Sequence, residues 1–177
     1  QETAGYEVMM PTQLSKTASV IMYSDASFAT DPDNSKSFNG YILKVNGATC
    51  SWAAKRQSCV VRSTCKAEYM AASYAASHLV WTRMALTEIL PDTPSAYTLL
   101  VDNELSMSLI RDHRLNSRSK HIGVHFNFVR EKYREGEFAV QHVSSANNLA
   151  DIGTKALPRP TLEALCYRIF GLDEPTL

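Results

Sequence analysis

The chain has 177 residues, with 18 lysines and arginines against 18 aspartates and glutamates, and 45% of it is apolar. A chain of that length builds one core rather than several. Its zero net charge excludes attraction of the whole molecule to a polyanion, so a nucleic-acid partner has to be held by a local patch or through metal ions. Cys50, Cys59, Cys65 and Cys166 show no Cys-x-x-Cys spacing, which argues against a zinc site or a dense disulfide frame. Cys65 and Cys166 fall in helical patterns and are expected to be buried thiols of a reducing compartment. No apolar run approaches the ~18 residues of a membrane span and no leader opens the chain, so an intracellular protein with no membrane partner is expected. Gln1 in place of an initiator methionine reads as a piece cut from a longer polypeptide or as a designed chain.

Residues 1–17 are mixed and read as a lead-in or linker. From Ala18 to Asp25 apolar residues run almost unbroken, as in a strand covered on both faces, and the polar stretch Ala26 to Gly40 reads as a loop. Two further strands, from Phe38 and from Ala48, flank Asn46-Gly47, a type I′ hairpin signal because both central residues need positive φ. Thr64 to Leu90 holds no glycine or proline and predicts a long helix, with Ser63 or Thr64 as N-cap and Pro91 as stop. Its apolar stripe runs through Ala67, Met70, Ala71, Tyr74, Ala75, Leu79 and Met84.

Tyr97 to Asp102 repeats the form of an apolar strand ending in an aspartate. A helical segment, Glu104 to Arg111, precedes a cationic loop with His113, Arg114, Arg118, Lys120 and His121. The period predicts a helix over Ile122 to Glu135, closed by Gly136, and alternation predicts a strand over Glu137 to Val143. A polar turn then leads into a helix start carrying Asp151, and a last amphipathic helix spans Thr161 to Phe170. Three meander strands followed by strands reached through helical crossovers imply an α/β fold: a mixed sheet, first antiparallel and then parallel.

If the strand ending at Asp102 lies parallel to the one ending at Asp25, the two carboxylates come within ~5 Å at one sheet edge. Asp151 is either a helix-dipole partner or a ligand of something positive, and Glu68, placed in the first turn of its helix, is either a solvated acid or a fourth member of the group. Four carboxylates in one place scarcely coexist ionised without a divalent cation. Hard oxygen donors with no Cys or His pattern favour Mg²⁺ or Mn²⁺ over zinc, and two such ions suit in-line phosphodiester cleavage.

Tyr23-Ser-Asp-Ala-Ser, Lys66-Ala-Glu-Tyr-Met-Ala, Val101-Asp-Asn-Glu, Arg118-Ser-Lys-His-Ile and Leu149-Ala-Asp-Ile-Gly-Thr-Lys, in that order, resemble the ribonuclease H domain of copia-type LTR retrotransposon polyproteins. The resemblance runs from about Ser19 to Leu157. It implies a ribonuclease H-like fold over 18–157, with a five-stranded mixed sheet flanked by helices and a C-terminal helix and tail, 158–177, packed on the same domain. Also implied is hydrolysis of the RNA strand of an RNA/DNA hybrid, giving 3′-hydroxyl and 5′-phosphate ends, during reverse transcription. Asp25, Glu68, Asp102 and Asp151 fall on the four metal-binding acids of that family, for two Mg²⁺ or Mn²⁺ ions. The expected partners are the hybrid and an adjacent reverse transcriptase domain, in a cytoplasmic virus-like particle or the nucleus.

Other roles carry over onto particular positions. Ser27, Ser63, Thr64, Asn103, Arg118 and Lys120 match nucleic-acid contacts, with hydroxyls suited to ribose 2′-hydroxyls and the basic pair to phosphates; Ser63 and Thr64 fit an N-cap equally well. Glu104 stands where a glutamine is usual, placing an acid near phosphates. His142 ends its strand and is either a strand-end histidine or a general acid. Gly123 and Gly153 stand where larger residues are usual, which implies a loosened Asp151. The alternative from another class is a catalytically idle module of the same fold that binds nucleic acid or a protein.

Overall fold

A computed structural model describes residues 19–89, 96–112 and 120–171, with the side chains of 120–126 excepted. The described strands are β1 (Ser19–Ser27), β2 (Phe38–Val45), β3 (Ala48–Arg56), β4 (Ala96–Val101) and β5 (Ala139–His142). The described helices are α1 (Thr64–Ile89), α2 (Glu104–Arg111), α3 (Lys120–Arg134) and α4 (Arg159–Phe170), with 3₁₀ turns at Ser145–Asn147 and Leu149–Gly153. The strands form one sheet in the order β3-β2-β1-β4-β5. β1, β2 and β3 pair antiparallel, and β1 with β4 and β4 with β5 pair parallel. This is the expected mixed five-stranded arrangement.

Side-chain alternation sorts the two faces. Val20 and Met22 of β1, Tyr41 and Leu43 of β2, Tyr97, Leu99 and Val101 of β4 and Val140 of β5 share a core with Tyr69, Ala72, Ala75, Ala76 and Leu79 of α1. Ile110 of α2 and Val129 of α3 join the same core. The alanines let α1 lie close to the sheet, and burying each larger side chain contributes about 1.5–3 kcal/mol. The predicted stripe is right except at its end, where Met84 is exposed. On the opposite face Ile42, Leu149, Leu165 and Ile169 form a second cluster, which holds α4 and the Leu149–Gly153 turn against β2.

Asn46 and Gly47 both have positive φ, 51° and 85°, as the hairpin requires. Several boundaries differ from the sequence reading. β1 runs two residues past Asp25, because Ala26 and Ser27 pair with Asn39 and Phe38 of β2. α4 starts at Arg159, with Pro160 in its first turn, where a missing N–H costs nothing. Its last carbonyls are satisfied from the sheet: Lys44 Nζ donates to the Arg168 carbonyl and Thr49 Oγ1 to the Ile169 carbonyl, each at 2.6 Å. Cys166 is buried as expected, Cys65 only half-buried. No described helix is long and apolar enough to cross a membrane.

Gly40 is where the second face closes on the sheet. A Cβ at this position would stand 2.6 Å from Thr154 Cγ2 and 2.9 Å from the Ala150 carbonyl oxygen, so only a glycine lets the Leu149–Gly153 turn approach β2. Gly40→Ala is expected to destabilise the chain by about 1–3 kcal/mol in chemical denaturation, with the 3₁₀ turn displaced. At Gly153 a Cβ would meet Ala53 and Ala54 at an ordinary 3.5 Å, so Gly153→Ala is expected to be close to neutral in the same measurement.

Candidate metal centre at the carboxyl edge of β1 and β4

The parallel register of β1 and β4 pairs Ser24 with Val101, so Asp25 and Asp102 are the next residues along two adjacent strands. By the same alternation both point away from the α1 core. Asp25 is fully buried and Asp102 half-buried. Glu68 reaches the pair from α1 and is 8% exposed. It is the fifth residue of the helix and lies beyond its first turn, so neither the solvated-acid nor the helix-terminus account applies. Glu68 Oε2 accepts from the Ala26 N–H at 3.1 Å, which fixes the carboxylate beside Asp25. Asp25, Glu68 and Asp102 each place one oxygen within 4.8 Å of the others.

Asp151 arrives on a 3₁₀ turn rather than an α-helix. Asn148 organises it: fully buried, it donates from Nδ2 to the Ser24 carbonyl at 3.0 Å and accepts the Ala150 N–H on Oδ1 at 3.2 Å. The turn is thereby pinned to the residue next to Asp25. Asp151 stands outside the three-carboxylate set and is joined to it by Lys155, whose Nζ lies 2.9 Å from Asp151 Oδ1 and 3.1 Å from Asp25 Oδ1. The other oxygen of Asp25 accepts a hydrogen bond from Thr154 Oγ1.

Burial, followed by the charges of Asp25 and Asp102, pushes the Glu68 carboxyl up to about 9. Asp102 is raised by burial and then by Asp25, with Lys155 and a hydrogen bond from Ser145 opposing. Asp151 is raised by burial against the opposing hydrogen bond from Lys155. For Lys155 burial works against the charge, but the hydrogen bond to Asp151 and the proximity of Asp25 outweigh it, and the ammonium is held above its ordinary range. Such a constellation, acids of one sign in a shielded corner, fits a hard divalent cation by donor type and by the charge it leaves uncompensated.

No family model matches the chain. Over 150 residues, 85% of its length, it is 35% identical to the retrovirus-related Pol polyprotein from transposon TNT 1-94 of Nicotiana tabacum. The chain is a homologue of copia-type retrotransposon Pol polyproteins. It spans 11% of that relative's length. LC11-RNase H1, isolated from compost, superposes with a TM-score of 0.57 at 15% identity, covering 77% of this chain and 92% of that one. The foamy viral protease-reverse transcriptase in complex with RNA/DNA hybrid does so with 0.54 at 14% identity, covering 82% of this chain and 21% of that one. At these identities the likeness establishes the ribonuclease H fold.

Around the carboxylate cluster, the remaining expected residues are differently placed. Ser27 is buried, its Oγ 2.6 Å from Thr30 Oγ1 and accepting from the Phe38 N–H. Ser63 Oγ accepts from the Lys66 N–H at 3.3 Å, while Thr64 is exposed at the start of α1. Asn103 caps α2 through the Ser106 N–H at 2.8 Å. His142 is exposed, its Nε2 3.2 Å from the Asp102 carbonyl oxygen. His113, Arg114 and Arg118 lie outside the described residues, as do the side chains of Lys120 and His121 and the surroundings of Gly123. Sequence reasoning assigned no role to Asn148, Thr154 or Lys155; the Asp151-to-Lys155 spacing of four residues was the available signal.

Because Glu68 binds its proton more tightly folded than unfolded, between its usual value and about 9 the folded state carries more protons and stability falls as pH rises. In EDTA the melting temperature is expected to decline from pH 5 to pH 9. Glu68→Gln should flatten that decline, as read by thermal denaturation across pH; a slope equal to wild type would count against a protonated Glu68.

Proposed function

We propose that the chain is a metal-dependent endonuclease that hydrolyses the RNA strand of RNA/DNA hybrids. The observation that carries this reading is the meeting of buried carboxylates from two strands and a helix, with oxygens of Asp25, Glu68 and Asp102 within 4.8 Å of one another. Those three and Asp151 are the groups that would hold Mg²⁺ or Mn²⁺, up to two ions. A bound divalent ion supplies Lewis-acid polarisation of the scissile phosphate.

The protein's own contribution is positional. Thr154 Oγ1 fixes one oxygen of Asp25, the Ala26 N–H fixes Glu68, and Ser145 Oγ donates to Asp102 Oδ2 at 3.2 Å. These carboxylates therefore need no large rearrangement at the moment of reaction, which is the source of electrostatic catalysis. Water adds at phosphorus and the bond to the 3′ oxygen breaks, leaving a 3′-hydroxyl and a 5′-phosphate. His142, exposed beside Asp102, is the candidate proton donor to the leaving oxygen. Thr64 and Ser63 at the start of α1 are assigned to ribose 2′-hydroxyls, while Ser27 Oγ holds the Phe38 N–H and Asn103 caps α2. Arg118 and Lys120 are assigned to phosphates on sequence alone. Homology to Pol polyproteins supports an adjacent reverse transcriptase domain as partner, within the cell that copies the element.

A labelled RNA/DNA hybrid incubated with Mg²⁺, Mn²⁺ or EDTA is expected to lose its RNA strand with either metal and to survive EDTA. Asp25→Asn and Asp102→Asn should each reduce cleavage by roughly 10³-fold or more. Asp102→Asn should also leave the melting temperature unchanged or raised, since it removes a like charge beside Asp25. Binding without scission under every metal would instead support an idle module of the same fold.

A further inference from the structure

The fourth acid does not join the other three directly; a lysine stands between. Lys155 Nζ is within ion-pair distance of both Asp25, 3.1 Å, and Asp151, 2.9 Å, and its backbone N–H donates to the Asp151 carbonyl at 3.0 Å. Asp25 has no exposed surface, whereas the Lys155 side chain is 37% exposed. One end of this bridge is therefore fixed in the interior, and the other belongs to a flexible four-carbon stem with open solvent beside it. We propose that Lys155 is an internal counter-cation that occupies the position between Asp25 and Asp151 and is displaced when that pair takes a divalent ion. This rests on the metal-dependent reading above and deepens it.

Two consequences separate this role from that of an ordinary surface ion pair. The two sides of Asp25 are unequal: Lys155 lies in the field of Glu68 and Asp102 but makes direct ion pairs only with Asp25 and Asp151. An ion entering among Asp25, Glu68 and Asp102 disturbs at most one of the two Lys155 ion pairs, the one to Asp25, while one entering between Asp25 and Asp151 competes with both. The first should bind more tightly than the second. Lys155 also neutralises a carboxylate that water cannot reach, so its removal exposes the folded state to an unpaired buried charge.

The test uses the 177-residue chain, its Lys155→Met and Lys155→Arg variants, and Mn²⁺ as the probe, followed by calorimetry and by the paramagnetic signal of free Mn²⁺. Wild type is expected to show one tighter and one weaker ion. In Lys155→Met the weaker ion should tighten by about tenfold, the EDTA melting temperature should fall by roughly 5 °C, and Mn²⁺ should restore it. Lys155→Arg, which keeps the charge, should behave as wild type in EDTA. In the unmodified chain, acylation of Lys155 by an amine-reactive ester, read by mass spectrometry, should rise on saturation with Mn²⁺. Wild-type Mn²⁺ affinities in Lys155→Met overturn the proposal, even alongside a lowered melting temperature, because they leave only a structural salt bridge. Lys155 acylation unchanged by Mn²⁺ overturns it as well, and needs no variant. An absence of Mn²⁺ binding in all three proteins overturns the metal-dependent reading, and this one with it.

Discussion

Asp25 lies inside the buried stretch Ser24 to Ser27 of the central strand, and an ionised carboxylate in that position, left alone, would cost roughly several kcal/mol. Its surroundings answer that cost in two ways that conflict. Thr154 and Lys155 give each oxygen a donor, which favours the charge. Glu68 and Asp102 bring further carboxylates within 4.8 Å, which opposes it. Strand register dictates the crowding: β1 and β4 lie parallel and adjacent, so any two acids that follow Ser24 and Val101 must meet. Glu68 carries the strain most visibly, raised to about 9 by burial and by those two neighbours.

Stability alone would be served better by apolar residues in such a corner, since even paired charges seldom repay their desolvation. The packing around it is correspondingly strict. Gly40 leaves room for Ala150 and Thr154 where a single methyl group would not fit. Asn148 spends its whole side chain tying the Asp151 turn to the Ser24 carbonyl. α4 presses on the same turn through Leu149, Leu165 and Ile169, and Arg168 donates to Asn147 Oδ1 at 3.1 Å. The C-terminal helix thus does more than tether the chain: it backs the element that presents Asp151.

Much of this was legible from residue order. Apolar runs closing on Asp25 and Asp102 gave the strands, and the alternation within them gave the shared face. The Asn46-Gly47 turn and the uninterrupted stretch from Thr64 gave the hairpin and the long helix. What escaped depends on contacts between distant residues. Lys155 could be paired with Asp151 by local spacing, but its second partner lies 130 residues away on a strand and leaves no local pattern. The tight approach at Gly40 is likewise invisible until the 3₁₀ turn is placed over β2. That turn looked helical because Leu149, Ala150 and Ile152 suit either geometry; its 3₁₀ character shows in the three-residue bonds from the Asp151 N–H to the Asn148 carbonyl and from the Thr154 N–H to the Asp151 carbonyl. Glu68 shows a different error: the helix start at Thr64 was read correctly, but Glu68 was counted into its first turn, and its place as fifth residue together with its burial excludes a helix-terminus role.

The neutral chain also bears on how a polyanion reaches an acidic corner. With no net charge there is no long-range pull, and any phosphate brought to Asp25, Glu68 and Asp102 would meet charges of its own sign. On the metal-dependent reading, cation and nucleic acid must therefore bind with positive coupling, since each relieves the repulsion that the other suffers, and thermodynamic linkage makes the benefit mutual. Lys155 breaks the symmetry of that field. Its ammonium leaves the Asp151 side of Asp25 less negative than the side shared with Glu68 and Asp102, so an incoming phosphate is repelled less there, where a divalent ion is also attracted less. The same side chain that makes the fourth acid tolerable in the fold thus sets which side of Asp25 depends on the substrate to complete its charge.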